Sequence, residues 1–430
     1  MRKKSGAMSV ENVVIAAGVR TPIGRYGGSL RQVPVYELGA VVLNEAARRA
    51  GIEPGQVDDV IVGQSYQNGE CANAGRYALL AAGWPESVPA LTLDRRCCSG
   101  LDAVLFGVMK IQTKNAEVVV AGGMESMSQV ELYLPGDIKW GLGGRVDSKW
   151  GFMPSGHGAL AMWGIPFYDR IQRARVMSQP IARYGELNSM MSWAENAAKA
   201  EGISRQAADG WSARSHARAI AAQQAGRFAQ EIVPVPLKGK KGEDVLFEVD
   251  ETPRADATVD TLAKLKPVYP DGVCTAGNSS SENDGAAALV LVAESKARAL
   301  GMKAVARFVA GANAACDPTL TYPAVDAAVR KALGKAGLGI DDIDLFEIQE
   351  AFAVQLLADA KLMGIKPDDY DRKINVNGSG ISLGHPIGAT GAMRLITLLH
   401  QMGRQGARYG LITICGGGGH GIAAIFERIG

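Results

Sequence analysis

Ala50-Gly51-Ile52, followed by Val57-Asp58-Asp59-Val60-Ile61-Val62, decides the fold, because the chain writes it a second time. The copy is Ala336-Gly337-Leu338, followed at the same spacing by Ile343-Asp344-Leu345-Phe346-Glu347-Ile348. Each copy reads as a helix end, a glycine cap, a turn and then an apolar strand. The match continues outward. After the first copy, Cys97-Cys98-Ser99-Gly100 opens a helix whose apolar positions are Leu101, Val104, Leu105, Val108 and Ile111. The strand Glu117 to Ala121 then ends in Gly122-Gly123. After the second copy, His385-Pro386-Ile387-Gly388 leads into a helix through Leu395, Leu398 and Leu399. Its strand, Leu411 to Ile414, ends in Cys415 and four glycines. Helical spacing alternates with short strand-like runs, so each half is expected to be a helix-covered sheet and the chain a duplicated α/β protein.

A region between the halves breaks the pattern. Residues 131 to 170 are rich in glycine and hold Trp140, Trp150 and Trp163. Residues 192 to 228 read as two alanine-rich helices, and Lys238-Gly239-Lys240-Lys241-Gly242 as a basic turn. Gly285 to Val292 returns to a buried strand that is expected to rejoin the first half. The expected domains are 8–129 plus 260–302 for the first half, 130–259 for an inserted loop domain, and 303–430 for the second half.

Composition narrows the function. Lys plus Arg is 46 and Asp plus Glu is 44 in 430 residues, so no whole-chain basic field supports nucleic-acid binding. A hydrophobic content of 47% fits a packed globular chain rather than a disordered one. The longest apolar run found, Ala286 to Ala293, is far below the ~18 residues of a membrane span. Ser5-Gly6-Ala7 and Glu11-Asn12 follow the basic start where a signal peptide would place its apolar core, so a cytoplasmic location is expected. The six cysteines include no Cys-x-x-Cys pair, so neither a disulfide framework nor a metal site is expected.

Three residues carry the candidate chemistry. Cys97 sits at a predicted helix N-terminus, where free backbone N–H groups and the helix dipole favour a thiolate. His385 lies in Gly384-His385-Pro386-Ile387-Gly388-Ala389-Thr390-Gly391, where glycines allow close approach of backbone or ligand. An imidazole there is able to take a proton from a cysteine. Cys415 ends a strand before Gly416-Gly417-Gly418-Gly419, whose bare amides suit an oxyanion hole. Each residue alone also fits plain packing, a turn histidine or a buried strand thiol. Their matched positions in two repeated halves make the constellation specific.

With these residues in place, the sequence resembles the thiolase family, the acetyl-CoA acetyltransferases and 3-ketoacyl-CoA thiolases, from about Val13 to Glu427. The resemblance rests on Cys97-x-Ser-Gly, Gly122-Gly-Met-Glu-Ser-Met-Ser128, Thr275-Ala-Gly-Asn278 and Asn283-Asp-Gly-Ala286. Glu350-Ala-Phe-Ala353, Asn375-Val-Asn-Gly378, the His385 segment and Cys415-Gly-Gly-Gly418 complete it. It implies a duplicated thiolase fold, two βαβαβ-type halves forming a layered α-β-α-β-α core with an inserted loop domain. It implies Cys97 as the nucleophile that carries the acyl group, His385 as its proton acceptor, and Cys415 as the acid/base on the second acyl-CoA. The Cys97 and Gly417 amides would form one oxyanion hole. Arg254, Thr261, Ala276, Ser280 and Met190 would lie along coenzyme A, which enters as a substrate. No permanently bound cofactor is implied. The family also implies a homodimer or homotetramer.

Three features depart from the family pattern. Gln349 stands where Asn or His usually positions a water in the first oxyanion hole. Ser189-Met190-Met191 replaces the usual His-Met-Gly, and the 131–170 segment is long and rich in tryptophan. Thr261 replaces a serine but keeps the hydroxyl. Two further readings compete with acyl exchange between CoA thioesters. One is a decarboxylating ketoacyl synthase, which would pair the cysteine with two histidines. The other is a non-catalytic acyl-CoA-binding protein, which would lack at least one of Cys97, His385 and Cys415.

Overall fold

Asp58 and Asp344, the repeated aspartates, make the same hydrogen bonds in the two halves. Asp58 Oδ2 accepts from the Glu117 and Val118 amides at 2.7 and 3.0 Å. Asp344 Oδ2 accepts from the Arg408 and Tyr409 amides at 2.8 and 2.9 Å. Each carboxylate thereby ties the start of its own strand to a strand formed far along the chain. Hydrogen bonds to a charged group stabilise by ~1.5–3 kcal/mol each. The computed structural model describes residues 10–136, 167–185, 190–239 and 242–430. Trp140, Trp150, Trp163 and Ser189 lie outside the described residues.

Among those residues, nine strands follow one hydrogen-bonded path. They are β1 (Val13–Arg20), β2 (Asp59–Gly63), β3 (Ala90–Leu93), β4 (Val118–Ser126), β5 (Asn283–Ala293), β6 (Ala306–Ala315), β7 (Leu345–Ile348), β8 (Tyr409–Gly416) and β9 (His420–Arg428). Their order is β7-β8-β9-β6-β1-β5-β4-β2-β3. β6, β9, β8 and β7 thus repeat the arrangement of β1, β5, β4 and β2. Along the sheet path the halves join where Val14 and Ile15 of β1 pair with Arg307 and Ala306 of β6. The repeat extends to irregularities. β1 slips register against β5 between Ile15 and Ala17, and β6 slips against β9 between Phe308 and Ala310. Both bulges follow the third residue of the strand, as a duplicated segment requires.

Among the described residues, eight helices have eight or more residues: α1 (Val35–Ala50), α2 (Ala74–Ala81), α3 (Ser99–Gln112), α4 (Met190–Glu201), α5 (Arg205–Gln224), α6 (Tyr322–Ala336), α7 (Ala353–Met363) and α8 (Thr390–Gln405). α1 and α6 end at Gly51 and Gly337, both at φ 67, as the repeated Ala-Gly predicts. Period-2 alternation then sorts each strand into layers. Leu289 and Leu291 face a central core with α3 and α8, while Val290 and Val292 join α1 and α2 on the other side. In the second half, Ile412 and Ile414 face the centre, and Leu411 and Cys415 pack with α6 and α7. The layers therefore run α-β-α-β-α, as the resemblance implies, with α3 and α8 packed together in the middle.

One boundary differs from expectation. The strand expected to end at Gly122-Gly123 runs on to Ser126. The two glycines are strand residues because neighbours press on both faces. A Cβ on Gly122 would lie 1.9 Å from the Ala287 oxygen, and one on Gly123 would lie 2.2 Å from the Gly388 oxygen. The segment Gly285 to Val292 does rejoin the first half, since β5 sits between β1 and β4. The middle region is pinned to β1 by a buried cluster in which Arg20 binds Asp250 through two nitrogens, at 2.7 and 3.0 Å, and Glu231 at 2.8 Å. No helix among the described residues is long and apolar enough to cross a membrane.

Candidate active site

The N-termini of α3 and α8 meet back to back, and small residues allow it. A Cβ on Gly100 would stand 2.8 Å from the Gly388 oxygen, and one on Gly391 only 2.4 Å from the Leu101 nitrogen. The contact brings Cys97, two residues before α3, to His385, five residues before α8. Cys97 Sγ lies 3.2 Å from His385 Nε2. Gly384 holds the approach to His385 at φ +97, with Asn283 packed where a side chain would be. Asn283 Oδ1 in turn accepts the His385 backbone N–H at 2.8 Å.

Thr390 sets the tautomer of the imidazole. Its hydroxyl donates to the Pro386 carbonyl at 2.8 Å, and the same oxygen lies 2.7 Å from His385 Nδ1. With its proton committed to the carbonyl, Thr390 accepts from Nδ1–H, which leaves the Nε2 lone pair facing the Cys97 thiol. Burial, reinforced by nearby Arg394, lowers the His385 pKa to about 3, so the ring is neutral at physiological pH. Thr390→Val keeps the shape and removes the acceptor. Loss of one buried hydrogen bond is expected to slow acylation of Cys97 roughly tenfold to a hundredfold. Rapid-quench measurement of acyl-enzyme checks this, and an unchanged rate would remove Thr390 from the proton relay.

Two adjacent cysteines have opposite environments. Cys98 is fully buried and donates to the Ile414 carbonyl at 3.6 Å. Cys97 is half-buried at the floor of a cavity. Burial pushes its thiol up to about 11, opposed by the Gly417 amide, the Arg96 cation and its own amide. The two amides that meet the sulfur are those expected to form an oxyanion hole. Arg96 is held at φ 52, a conformation that costs a non-glycine residue of order 1–3 kcal/mol and persists where surroundings enforce it. Asp94 accepts the Arg96 amide at 2.7 Å, while the Ser65 and Ser99 hydroxyls donate to its carbonyl at 3.0 and 2.6 Å. Cys415 is 1% exposed, and burial raises its thiol pKa well above the ordinary value.

Cys97, His385, Cys415, Gly417 and Met190 line one cavity of about 390 Å³. Its walls are mainly apolar, with Tyr66, Met127, Trp193, Phe352 and Ile387 among them. It shares Arg175, Met191, Ser280, Ser281 and Glu282 with an outer groove of about 1030 Å³. Arg254, Thr261 and Ala276 line that groove, and Ser280 stands at the junction. Arg254 is an exposed side chain paired with Asp256 at 3.3 Å. The Thr261 hydroxyl donates to the Asp256 carbonyl at 2.7 Å and helps cap a short helix. Met190 lines the inner cavity and not the groove, its methyl 3.0 Å from where a Gly417 Cβ would be.

Gln349 stands apart from this group. It is 1% exposed just after β7, is not among the described residues that line the cavity, and has no hydrogen-bond partner for either amide atom among the described residues. Its Nε2 is 2.3 Å from the Cβ position of Gly380, so Gly380 makes room for it. Sequence reasoning gave no role to Thr390, Asn283 or Arg96. The first two lay in quoted motifs, and their positions relative to His385 were the available signal. Among the described residues no group of three or more His, Cys, Asp or Glu side chains is placed to hold a metal ion.

Comparison with known proteins agrees with this geometry. Residues 13–295 match the model of the thiolase N-terminal domain, and residues 302–428 match that of the thiolase C-terminal domain. The chain is 42% identical over 424 residues to an acetyl-CoA acetyltransferase of Pseudomonas aeruginosa, covering 97% of this chain and all of that one. It is 41% identical over 420 residues to the beta-ketothiolase BktB of Cupriavidus necator, covering 97% and 99%. The crystal structure of the Bacillus anthracis acetyl-CoA acetyltransferase superposes with a TM-score of 0.88 at 40% identity, covering 98% of this chain and 99% of that one. With both halves matched and the repeated topology in place, this chain belongs to the thiolase family.

Proposed function

We infer that this thiolase exchanges acyl groups between CoA thioesters through a thioester on Cys97. The 3.2 Å contact between Cys97 Sγ and His385 Nε2, in one cavity with Cys415, carries the reading. In thiolysis, Cys97 gives its proton to His385 Nε2, and its sulfur attacks the 3-keto carbon. The bond between C2 and C3 breaks, the electron pair passes to C2 of the departing acetyl-CoA, and the Cys415 thiol protonates that carbon. The CoA thiol then gives its proton to the Cys415 thiolate and displaces Cys97, which recovers its proton from His385. The Cys97 and Gly417 amides receive the oxyanion at the acyl-enzyme. A soft sulfur nucleophile suits this exchange, because the protein thioester and CoA's own are of similar energy.

CoA lies along the groove in this reading. Arg254 marks its phosphate end, Thr261 and Ala276 its length, and Ser280 the point where the pantetheine turns into the cavity. Thiolysis of a panel of 3-ketoacyl-CoA substrates with free CoA tests the whole scheme, with Cys97→Ala as the blank. Turnover that vanishes in the blank supports it, and no turnover on any member sinks it. Gln349→Asn is expected to keep thiolysis within about tenfold of the parent, equivalent to ~1.4 kcal/mol, because no protein partner is lost. Acyl preference across the panel is the readout. An inactive asparagine variant with an unchanged melting temperature would mean the site is built around the longer amide.

A further inference from the structure

We propose that Arg96 recognises a carboxylate at the far end of the acyl group, so that the preferred substrates are short 3-ketoacyl-CoA thioesters ending in a second acid. The proposal rests on acyl transfer at Cys97. It starts from an imbalance in the cavity wall. Two tandem arginines precede the nucleophile. Arg95 is neutralised, its Nε 2.5 Å from Asp102 Oδ2, which is itself buried. Arg96 is turned the other way by its left-handed backbone and lines the cavity.

The charges around Arg96 are accounted for one by one. Among the described lining residues, Arg175 is the other arginine and is paired with Glu282, the one carboxylate. Cys97, Cys415 and Tyr66 have raised pKa values and His385 a lowered one, so all four are neutral at physiological pH. Arg96 has no ion pair among the described residues. Its guanidinium carbon lies 5.5 Å from the centre of the Tyr66 ring. It is the unneutralised charge among the described lining residues of a mainly apolar cavity.

Position converts that charge into selectivity. The Arg96 Cγ is 3.9 Å from where a Gly417 Cβ would stand, and the Gly417 amide faces the Cys97 sulfur. The stem therefore starts beside the reacting centre and carries the cation to the face of Tyr66, which clusters with Met127 and Ile387. Cys97 and Arg96 line the same cavity, which places this cation within the space that a chain attached to Cys97 would fill. A methyl end arriving there would leave the cation without an anion, and a carboxylate would make a bidentate, charge-assisted pair.

The test compares two substrates of equal length, 3-oxohexanoyl-CoA and 3-oxoadipyl-CoA, with acetoacetyl-CoA as reference. The parent enzyme is expected to favour 3-oxoadipyl-CoA in kcat/KM. Arg96→Met should lower the ratio of the acid to the neutral substrate by about tenfold to a hundredfold, the scale of a lost charge-assisted hydrogen bond. Arg96→Lys should restore part of it. A parent that prefers 3-oxohexanoyl-CoA overturns the proposal. So does an equal loss on both substrates in Arg96→Met, which would assign Arg96 to the Cys97 thiol alone. If only acetoacetyl-CoA is cleaved, the carboxylate proposal falls and acyl transfer stands. If none of the three is cleaved, both fall.

Discussion

Cys97→Ala is expected to abolish acyl transfer in both directions, by on the order of a millionfold, the scale seen when a covalent nucleophile is removed from an enzyme. Two features make the loss that large. The reaction is divided into two displacements that both pass through this sulfur, so no direct route from one CoA thioester to the other remains. Cys98 cannot substitute, because its sulfur is fully buried and engaged with the Ile414 carbonyl. The fold should survive, since the α3 N-terminus is held by Ser99, Asp102 and glycine contacts rather than by the Cys97 thiol. Trapping with radiolabelled acyl-CoA followed by peptide mapping measures the outcome. Label on any other residue, or retained turnover, would overturn the scheme.

The same residue predicts a pH dependence. The folded thiol is pushed up to about 11, so the thiolate fraction of the free enzyme grows with every step of pH below that value. Alkylation of Cys97 by iodoacetamide should accelerate from pH 7 to pH 10 without a plateau. A plateau near pH 7 would mean that a thiolate–imidazolium pair already exists at rest. The low pKa of His385 opposes such a pair, because the same burial that raises the thiol disfavours the charged ring.

How much of this was legible in the sequence depends on whether the physical cause was local. The αL caps at Gly51 and Gly337 and the strands after them follow from nearest-neighbour chemistry, and they were read from a repeat. The layer order is what the resemblance to the thiolase family implies, since the repeat alone dictates only two helix-covered halves. Gly122 and Gly123 were misread as a strand end because glycine ordinarily punctuates. Here they are needed by Ala287 and Gly388, which are close only in space. The Cys97, His385 and Cys415 set was found because matched motifs identify residues without distances. The tautomer was not legible, since it depends on the Thr390 proton being committed to the Pro386 carbonyl. Nor was the turn of Arg96 into the cavity, which follows from a φ of 52 enforced by Asp94, Ser65 and Ser99 together. The contact of the Met190 side chain with Gly417 in the cavity is likewise a matter of spatial packing that its motif position does not reveal.

Cys415→Ala should separate the two half-reactions. The variant is expected to form the acyl-enzyme on Cys97 from a simple acyl-CoA at nearly the parental rate, because the thiol, the imidazole and the Gly417 amide remain in place. Carbon–carbon bond formation should fall by ~10²–10⁴, the contribution of a positioned general acid or base. The environment of Cys415 explains why a thiol suits this step. Its burial keeps it protonated at neutral pH, so it is ready to deliver a proton to the carbanion in thiolysis. Once that proton is gone, the same burial makes the thiolate a strong base, able to take a proton from C2 of acetyl-CoA in condensation. Cys415→Ser tests that point separately. A hydroxyl is a far weaker acid than a thiol, so the serine should acylate Cys97 yet remain as defective in condensation as the alanine. Measured together, acyl-enzyme burst and condensation rate decide the assignment. If both fall in parallel, Cys415 supports the Cys97 site as a whole. If only the second falls, the acid/base at C2 is the sulfur at the end of β8.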